Sequence, residues 1–304
     1  MFDIIIIGGG PAGLTAALYA LRNDKKVLIL EKECVGGQIA KSPKVENYPS
    51  QKSISGSELA DQMFEQVVAL GCEFELETAT VIKKINNIFE VTTDFSTYQA
   101  KSVIIATGAK PRTLGLENED KFLGKGLYYC AICDGPFYAG KEVTLIGDAN
   151  SALQYALTLS SYCSKVHVFT LFDKFFGEKV LQEKVLATDN IVIQHNCKAV
   201  KLIGNESLEG IVFQNKEGVV FEHKTQALFV AIGQVPDNKI FEGLSPLDES
   251  GYLISDERCI SKTNGLYVAG DCRTKEIRQV TTAISDGAVS ATRACKYIDT
   301  QINN

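Results

Sequence analysis

The sequence predicts an α/β protein made of two Rossmann-like, three-layer domains of the dinucleotide-binding type, the second inserted into the first. Three observations predict it. A β-branched run, 2–7, leads into a glycine-rich turn and an Ala/Leu-rich helix. The same strand, turn, helix, strand order restarts at Glu142, an internal duplication at domain scale. Near the end, an apolar stretch at 267–269 runs into Gly270-Asp271 and a long helix of small residues, which pairs the last part of the chain with the first. The expected domains are 1–110 with 241–304, and an inserted domain at 111–240.

Gly8, Gly10 and Gly13 stand at G-x-G-x-x-G spacing. The first makes the turn, the second lets backbone approach a pyrophosphate, and the third allows close helix–strand packing. Pro11 suits a first helical turn, where a missing N–H costs nothing. The helix continues from Leu14 to Leu21, and 26–30 is the next strand. Glu31 ends that strand at the spacing of about 20 residues where an acid binds a ribose hydroxyl. Gly36-Gly37-Gln38 and 45–49 read as loop, 57–70 as an amphipathic helix, and 73–93 as meander strands. A strand at 102–106 ends in Thr107-Gly108, a small-residue turn able to lie against a cofactor. Lys110-Pro111-Arg112 reads as a linker. The restarted unit is strand 142–146, turn 147–150, helix 151–160 and strand 165–171. Strands follow at 191–194, 199–203, 210–213 and 227–232, then a second linker at 233–236. The final helix is expected at 279–297, its first turn aiming N–H groups at an anionic or carbonyl-bearing group.

Hydrophobic residues make up 45% and charged residues 22%, which indicates an ordinary globular chain. The net charge of −6 is spread over both expected domains, so neither nucleic acid nor an anionic membrane is an expected partner. No apolar run approaches membrane-spanning length, and Ile4–Ile7 lacks the basic flank of a signal peptide. The expected location is the cytoplasm, where nine cysteines mean mostly reduced thiols.

Cys130-Ala131-Ile132-Cys133-Asp134 places two thiols at Cys-x-x-Cys spacing beside a carboxylate. That spacing serves a redox dithiol or half of a zinc site. No second pair exists, and His167, His195 and His223 are scattered, which favours the dithiol and no metal. Cluster-like cysteine spacings are absent. Cys34 and Cys272 fall near the glycine-rich motifs without a partner at redox spacing, and most other cysteines read as small core residues.

Taken together, GGGPAG at 8–13, GGQ at 36–38, VENYP at 45–49, ATGA at 106–109, CAICDG at 130–135, VAIG at 230–233 and GDCRTKEIRQVTTA at 270–283 resemble the low-molecular-weight thioredoxin reductases over nearly the whole chain. The resemblance implies FAD in the first domain, the dithiol on the second, thioredoxin as substrate, and a homodimer. It implies FAD contacts from Gly8, Gly10, Pro11, Ala12, Gly13, Glu31, Lys32, Gly37, Gln38, Asn47, Ala106, Thr107, Gly108, Gly270, Asp271, Arg278, Gln279, Val280 and Ala283. It further implies that Cys133 faces the flavin, that Cys130 attacks the substrate disulfide, and that Asp134 donates and accepts protons beside the pair.

One stretch departs from the family pattern. NADPH-using members carry a second glycine-rich turn, whereas here Gly147-Asp148-Ala149-Asn150-Ser151-Ala152 puts Ala149 where backbone must approach phosphate. Asp148 adds like charge, worth about 4 kcal/mol for unit charges about 4 Å apart at an effective dielectric of about 20. The cationic positions that hold the 2′-phosphate are Thr170, Leu171, Phe172 and Phe176. This combination is similar to the ferredoxin-dependent flavin branch of the family, which implies reduced ferredoxin as electron donor. Lys41, Lys44, Lys52, Arg273, Lys275 and Arg278 are the candidate basic surface for such an acidic carrier, each equally readable as surface solvation. An NAD(P)H-dependent reductase, a dithiol oxidase using oxygen, and a flavin-binding protein with idle cysteines are the alternatives.

Overall fold

The structure, a computed structural model, describes residues 1–42 and 45–302. Two compact units emerge, Met1–Lys110 with Val235–Asn304, and Pro111–Gln234. The return crossing thus falls at Gln234–Val235, ahead of the expected residue 240.

The first unit opens with β1 (Phe2–Ile7), α1 (Pro11–Leu21), β2 (Val27–Leu30), α2 (Gly56–Val68), β3 (Glu73–Glu75), β4 (Ala79–Ile85), β5 (Ile88–Thr93), β6 (Thr97–Ile105) and β7 (Ala109–Pro111). Side chains alternate across β1 with a period of two. Ile4 and Ile6 join Ala16, Ala17, Ala291 and Ala294 on the helical face, while Ile5 and Ile7 join Phe89, Val91 and Val268 on the other. Both faces are covered, which is why the run is apolar throughout.

The inserted unit holds α3 (Glu119–Phe122), β8 (Leu127–Tyr128), α4 (Ala131–Asp134), β9 (Glu142–Ile146), α5 (Asn150–Ser160), β10 (Lys165–Phe169), α6 (Lys179–Leu186), β11 (Ile191–Gln194), β12 (Cys197–Gly204), β13 (Leu208–Asn215), β14 (Val220–Lys224) and β15 (Leu228–Val230). After it come β16 (Gln234–Pro236), β17 (Leu266–Val268) and α7 (Val280–Ile302).

The first unit's sheet runs β3-β2-β1-β6-β5-β4. β6 is its hinge line. It pairs parallel with β1 through Ala100–Ile105, antiparallel with β5 through Thr97–Ala100, and parallel with β17 through Val103–Ile105. The inserted unit repeats the plan with a parallel sheet, β11-β10-β9-β15-β8, and an antiparallel meander, β12-β13-β14. The two chain crossings, β7 and β16, form a sheet of their own.

The meander expected within 73–93 is present as β4 and β5, joined by a tight hairpin with Asn86 and Asn87 at φ +48° and +64°, the left-handed pair that such turns favour. Other elements differ from expectation. The strand expected to reach Leu171 stops at Phe169, and α6 and β14 lie where no element was expected. The second linker is itself a strand, β16. The last helix reaches Ile302. Among the described residues, no helix is long and apolar enough to cross a membrane, and no three His, Cys, Asp or Glu side chains are placed to hold a metal.

His223 on β14 sits beside His167 of β10, with rings 4.8 Å apart, and its Nε2 lies 2.9 Å from Thr144 Oγ1. Burial, then the His167 charge, lowers its pKa to about 4, with Glu142 opposing. The unfolded chain binds this proton near pH 6.5 and the folded chain only near 4, so His223 withdraws stability as pH falls through that window. His223→Gln should flatten the acid limb of melting temperature against pH; an unchanged limb would remove His223 as its cause.

Candidate functional site

At the first strand–helix turn, three glycines do three jobs. Gly8 has φ +112°, and a Cβ there would collide with the Ala106 carbonyl. A Cβ on Gly13 would collide with the Gly8 carbonyl. Gly10, by contrast, caps α1 in extended backbone (φ −79°, ψ −176°) without a side-chain cap, Pro11 follows in the first helical turn, and a Cβ would meet only Gly36 O, at 3.9 Å. The first two glycines answer to the protein's own backbone, and the third leaves free space before a helix N-terminus, where orphan N–H groups favour an anion.

Glu31 serves the turn differently from expectation. Its Oε2 accepts from Gly9 N at 2.7 Å and its Oε1 from Glu33 N at 2.8 Å, so it braces the loop while keeping acceptor capacity. Gly36 N donates to Gly9 O at 2.8 Å, which brings Gly37 beside Gly10, with Gln38 following it in the same short helical turn. Ala12 is buried behind the turn, where Gly287 of α7 has room for no side chain against the Ala12 carbonyl. Lys32 points out instead and pairs with exposed Asp237 at 2.6 Å.

A second group of candidates converges from distant sequence. Asn47 Nδ2 donates to Gln279 Oε1 at 3.2 Å. Thr107 Oγ1 donates to Asn238 Oδ1 at 3.2 Å, and Asn238 Nδ2 donates to Cys272 O at 2.8 Å, joining the Ala106-Thr107-Gly108 turn to the Gly270-Asp271 turn. Asp271 Oδ1 is buried with no hydrogen-bond partner among the described residues, and burial pushes the carboxyl up to about 6. Arg278 lies over the Tyr252 ring, 4.1 Å from its centroid, and donates to Asp271 O at 3.3 Å. Val280 starts α7, and buried Ala283 donates its N–H to Gln279 O.

Two members of the candidate basic surface, Arg273 and Lys275, do not lie on the surface. Arg273 is 1% exposed and bidentate to Asp286, both bonds at 2.9 Å; Lys275 Nζ lies 2.8 Å from the same carboxylate. Both are interior charges. Lys41 lies 3.8 Å from Glu33, Lys52 is exposed, and Lys44 falls outside the described residues.

In the inserted unit, Cys130 and Cys133 are joined as a disulfide, with Cα atoms 5.3 Å apart. Cys130 stands just ahead of α4, and Cys133 N donates to its Sγ at 3.2 Å. Asp134 N donates to Cys130 O at 3.0 Å, while its side chain is buried with Oδ1 unpartnered among the described residues. Burial lifts that carboxyl to about 7. Tyr162 Oη donates to Ala131 O at 3.2 Å and leaves no space at Gly135 for a side chain. Buried Glu119 accepts from Leu114, Gly115 and Leu116 N–H and from Tyr129 Oη at 2.6 Å, fixing the residue before Cys130. Sequence reading missed Glu119, Asn238 and Asp286. Asp286 alone carried a signal, a carboxylate inside a small-residue helix.

The pyridine nucleotide-disulphide oxidoreductase family matches residues 2–287. Thioredoxin reductase of Treponema pallidum is 38% identical, covering 99% of each chain. This chain belongs to the low-molecular-weight thioredoxin reductase family. A 34.2 kDa protein in the rubredoxin operon of Clostridium pasteurianum is 39% identical over 97% of each chain. The crystal structure of Streptococcus pyogenes thioredoxin reductase superposes with a TM-score of 0.93 at 34% identity, covering 99% of each chain. The chain is therefore a thioredoxin reductase-type flavoprotein disulfide oxidoreductase, and the cofactor of its family is FAD. The residues present fit FAD. The open space at Gly10 suits a phosphate, and the orphaned Asp271 oxygen needs a donor such as a ligand hydroxyl.

The second strand–helix turn of this reductase repeats only half of the first. Gly147 has φ +153°, and a Cβ there would collide with the Ala231 carbonyl, as one on Gly8 would with Ala106. Ala149 caps α5 in the same extended backbone as Gly10 (φ −110°, ψ −174°), yet carries a Cβ. Asp148 stands beside it, its pKa raised by burial, with Phe176 N donating to its carbonyl at 2.7 Å. Beyond β10, Thr170 is buried and bonded to His195 Nδ1 at 2.7 Å, and exposed Phe172 and Phe176 pack edge to face.

Gly10→Ala should therefore fold, with an apoprotein melting temperature within about 2 °C of wild type, yet bind FAD at least about tenfold more weakly. Gly13→Ala should lose more than about 3 kcal/mol of stability by itself. Thermal melts and FAD titration of the apoproteins check both; equal FAD affinity in Gly10→Ala would show that no ligand approaches there.

Proposed function

We propose that this protein passes electrons from reduced ferredoxin, through FAD and the Cys130/Cys133 dithiol, to thioredoxin, and that it works as a homodimer. The observation that carries the donor assignment is the contrast between the two turns. Gly147, which the protein's own backbone requires, is kept, while the position that corresponds to Gly10 is Ala149 beside Asp148. A chain that still bound a dinucleotide there would need the second glycine as much as the first. The absence of cationic side chains at Thr170, Leu171, Phe172 and Phe176 supports the same reading.

FAD, held by the Gly10 turn, Asn47, Thr107, Asp271, Arg278 and the start of α7, supplies a group that takes electrons singly and gives them in pairs. Two electrons and two protons convert the Cys130–Cys133 disulfide to a dithiol, with Cys133 on the receiving side. The Cys130 thiolate then attacks the thioredoxin disulfide, forming a mixed disulfide and releasing one thioredoxin thiolate. Cys133 attacks Cys130 in turn, restoring the intramolecular disulfide and freeing reduced thioredoxin. Asp134, held near neutrality, supplies and recovers the proton beside the pair. Thioredoxin, near about −270 mV, lies downhill from an iron–sulfur donor near about −400 mV.

Anaerobic mixing should bleach the flavin with reduced ferredoxin and leave it oxidised with NADPH or NADH. Bleaching by either nicotinamide at a rate that supports turnover would replace ferredoxin as donor, and dithiol-driven oxygen uptake without a ferredoxin reaction would make the protein an oxidase.

Asp134→Asn should lower turnover about a hundredfold and remove a pH-rate inflection near 7. A carboxyl raised by folding contributes stability below its unfolded pKa and loses it as pH rises through about 7, so the same variant should melt higher than wild type at pH 8. Retention of the inflection would assign that proton to another group.

A further inference from the structure

Asp286 lies inside α7, and nothing in the proposed electron path touches it. Its side chain is buried, yet it receives four charged or polar donors. Gly270 N and Arg273 Nε each lie 2.9 Å from Oδ2, Lys275 Nζ lies 2.8 Å from Oδ2, and Arg273 Nη2 lies 2.9 Å from Oδ1. Lys275 is 6% exposed at its side chain and Arg273 1%. Two buried cations thus share one buried carboxylate. Glu257, 3.5 Å from Arg273, is 93% exposed and screens it little. Burying an unmatched ammonium is unfavourable, so a second anion is expected nearby. The adjacent acid is Asp271, which Lys275 and Arg278 both influence, and whose buried Oδ1 is left without a donor. The Gly270 N–H bond fixes the backbone of the residue just before Asp271.

We propose that Asp286 is a positioning residue for FAD: through Gly270, Arg273 and Lys275 it locks the Gly270-Asp271 turn so that the free Asp271 oxygen stays aimed at a hydroxyl of the cofactor. The inference rests on the reading that Asp271 contacts FAD. Asp286 itself touches no ligand and acts only through the turn. Gly270 itself stands at φ +78°, and a Cβ there would crowd Ala12, so the turn is built on a residue that no side-chain-bearing one replaces without strain.

The test is a double-mutant cycle on FAD affinity, measured by titrating apoprotein with FAD and following flavin fluorescence. Asp286→Asn should weaken FAD about tenfold when Asp271 is present and less than about twofold in the Asp271→Asn background. Equal losses in both backgrounds would overturn the proposal and leave Asp286 a purely structural residue. No loss in Asp271→Asn alone would instead overturn the reading that Asp271 contacts FAD, and the inference with it. Should Asp286→Asn fail to fold, Lys275→Met replaces it, since Arg273 still matches Asp286. That variant should weaken FAD about threefold, again only with Asp271 present. It should also move the acid midpoint of FAD binding upward, because Lys275 and Arg278 are the cations that favour ionised Asp271 and Asp286 opposes them. An unmoved midpoint would count against the proposal.

Discussion

The molecule depends on a contact that allows no carbon atom. Where β1 hands over to α1, the Gly8 carbonyl occupies the space of a Gly13 side chain, and the Ala106 carbonyl occupies that of Gly8. The helix can then start directly from the strand end, with its first turn of N–H groups in the open. The inserted unit is built on the same contact, between Gly147 and Ala231. Backbone packing of this kind leaves little room for adjustment, because each colliding carbonyl stands one residue past the end of a parallel ladder, with that residue's N–H bonded back into it. What the two turns share is the part demanded by the fold. Where they differ, at Gly10 and Ala149, no backbone collision at Gly10 requires the glycine.

The two units also share an electrostatic device. Asp134 in one and Asp271 in the other are buried carboxyls with an orphaned oxygen, and burial raises the pKa of each. Desolvation does opposite work at the two places. Beside the disulfide, where no cation stands among the causes of the shift, it keeps a proton available near neutrality. At the Gly270-Asp271 turn, Lys275 and Arg278 oppose it and favour the anion. One residue type thus meets two electrostatic environments, set by the charges around it.

Much of this was legible because it is local. The glycine spacing, the Cys-x-x-Cys-Asp run and the replacement of Gly by Ala149 each lie within a few residues, and the chemistry follows from their order. What the sequence concealed is tertiary. Arg273 and Lys275 read as surface charge because their partner, Asp286, lies on another element. Asn238 ties Thr107 to Cys272 across residues that no periodicity connects. α6 escaped notice because only Val185 is fully buried in it, and β14 because its residues alternate between exposed and half-buried. The Asn86-Asn87 hairpin, by contrast, was readable, since asparagine tolerates the left-handed conformation that such a turn needs.

The small sheet formed by β7 and β16 bears on how the chain reaches this state. The first unit is discontinuous: β17 must find β6, and α7 must find α1, with residues 111–234 between them. Closing so long a loop of unfolded chain carries an entropy penalty that grows with the logarithm of its length. Once the insert has folded and its two ends lie side by side in the β7–β16 ladder, the same closure spans only the flanking segments, 106–110 and 235–265. The order of assembly is thereby biased from the inside outward, and the earliest part of the chain to be synthesised is among the last to complete its own sheet.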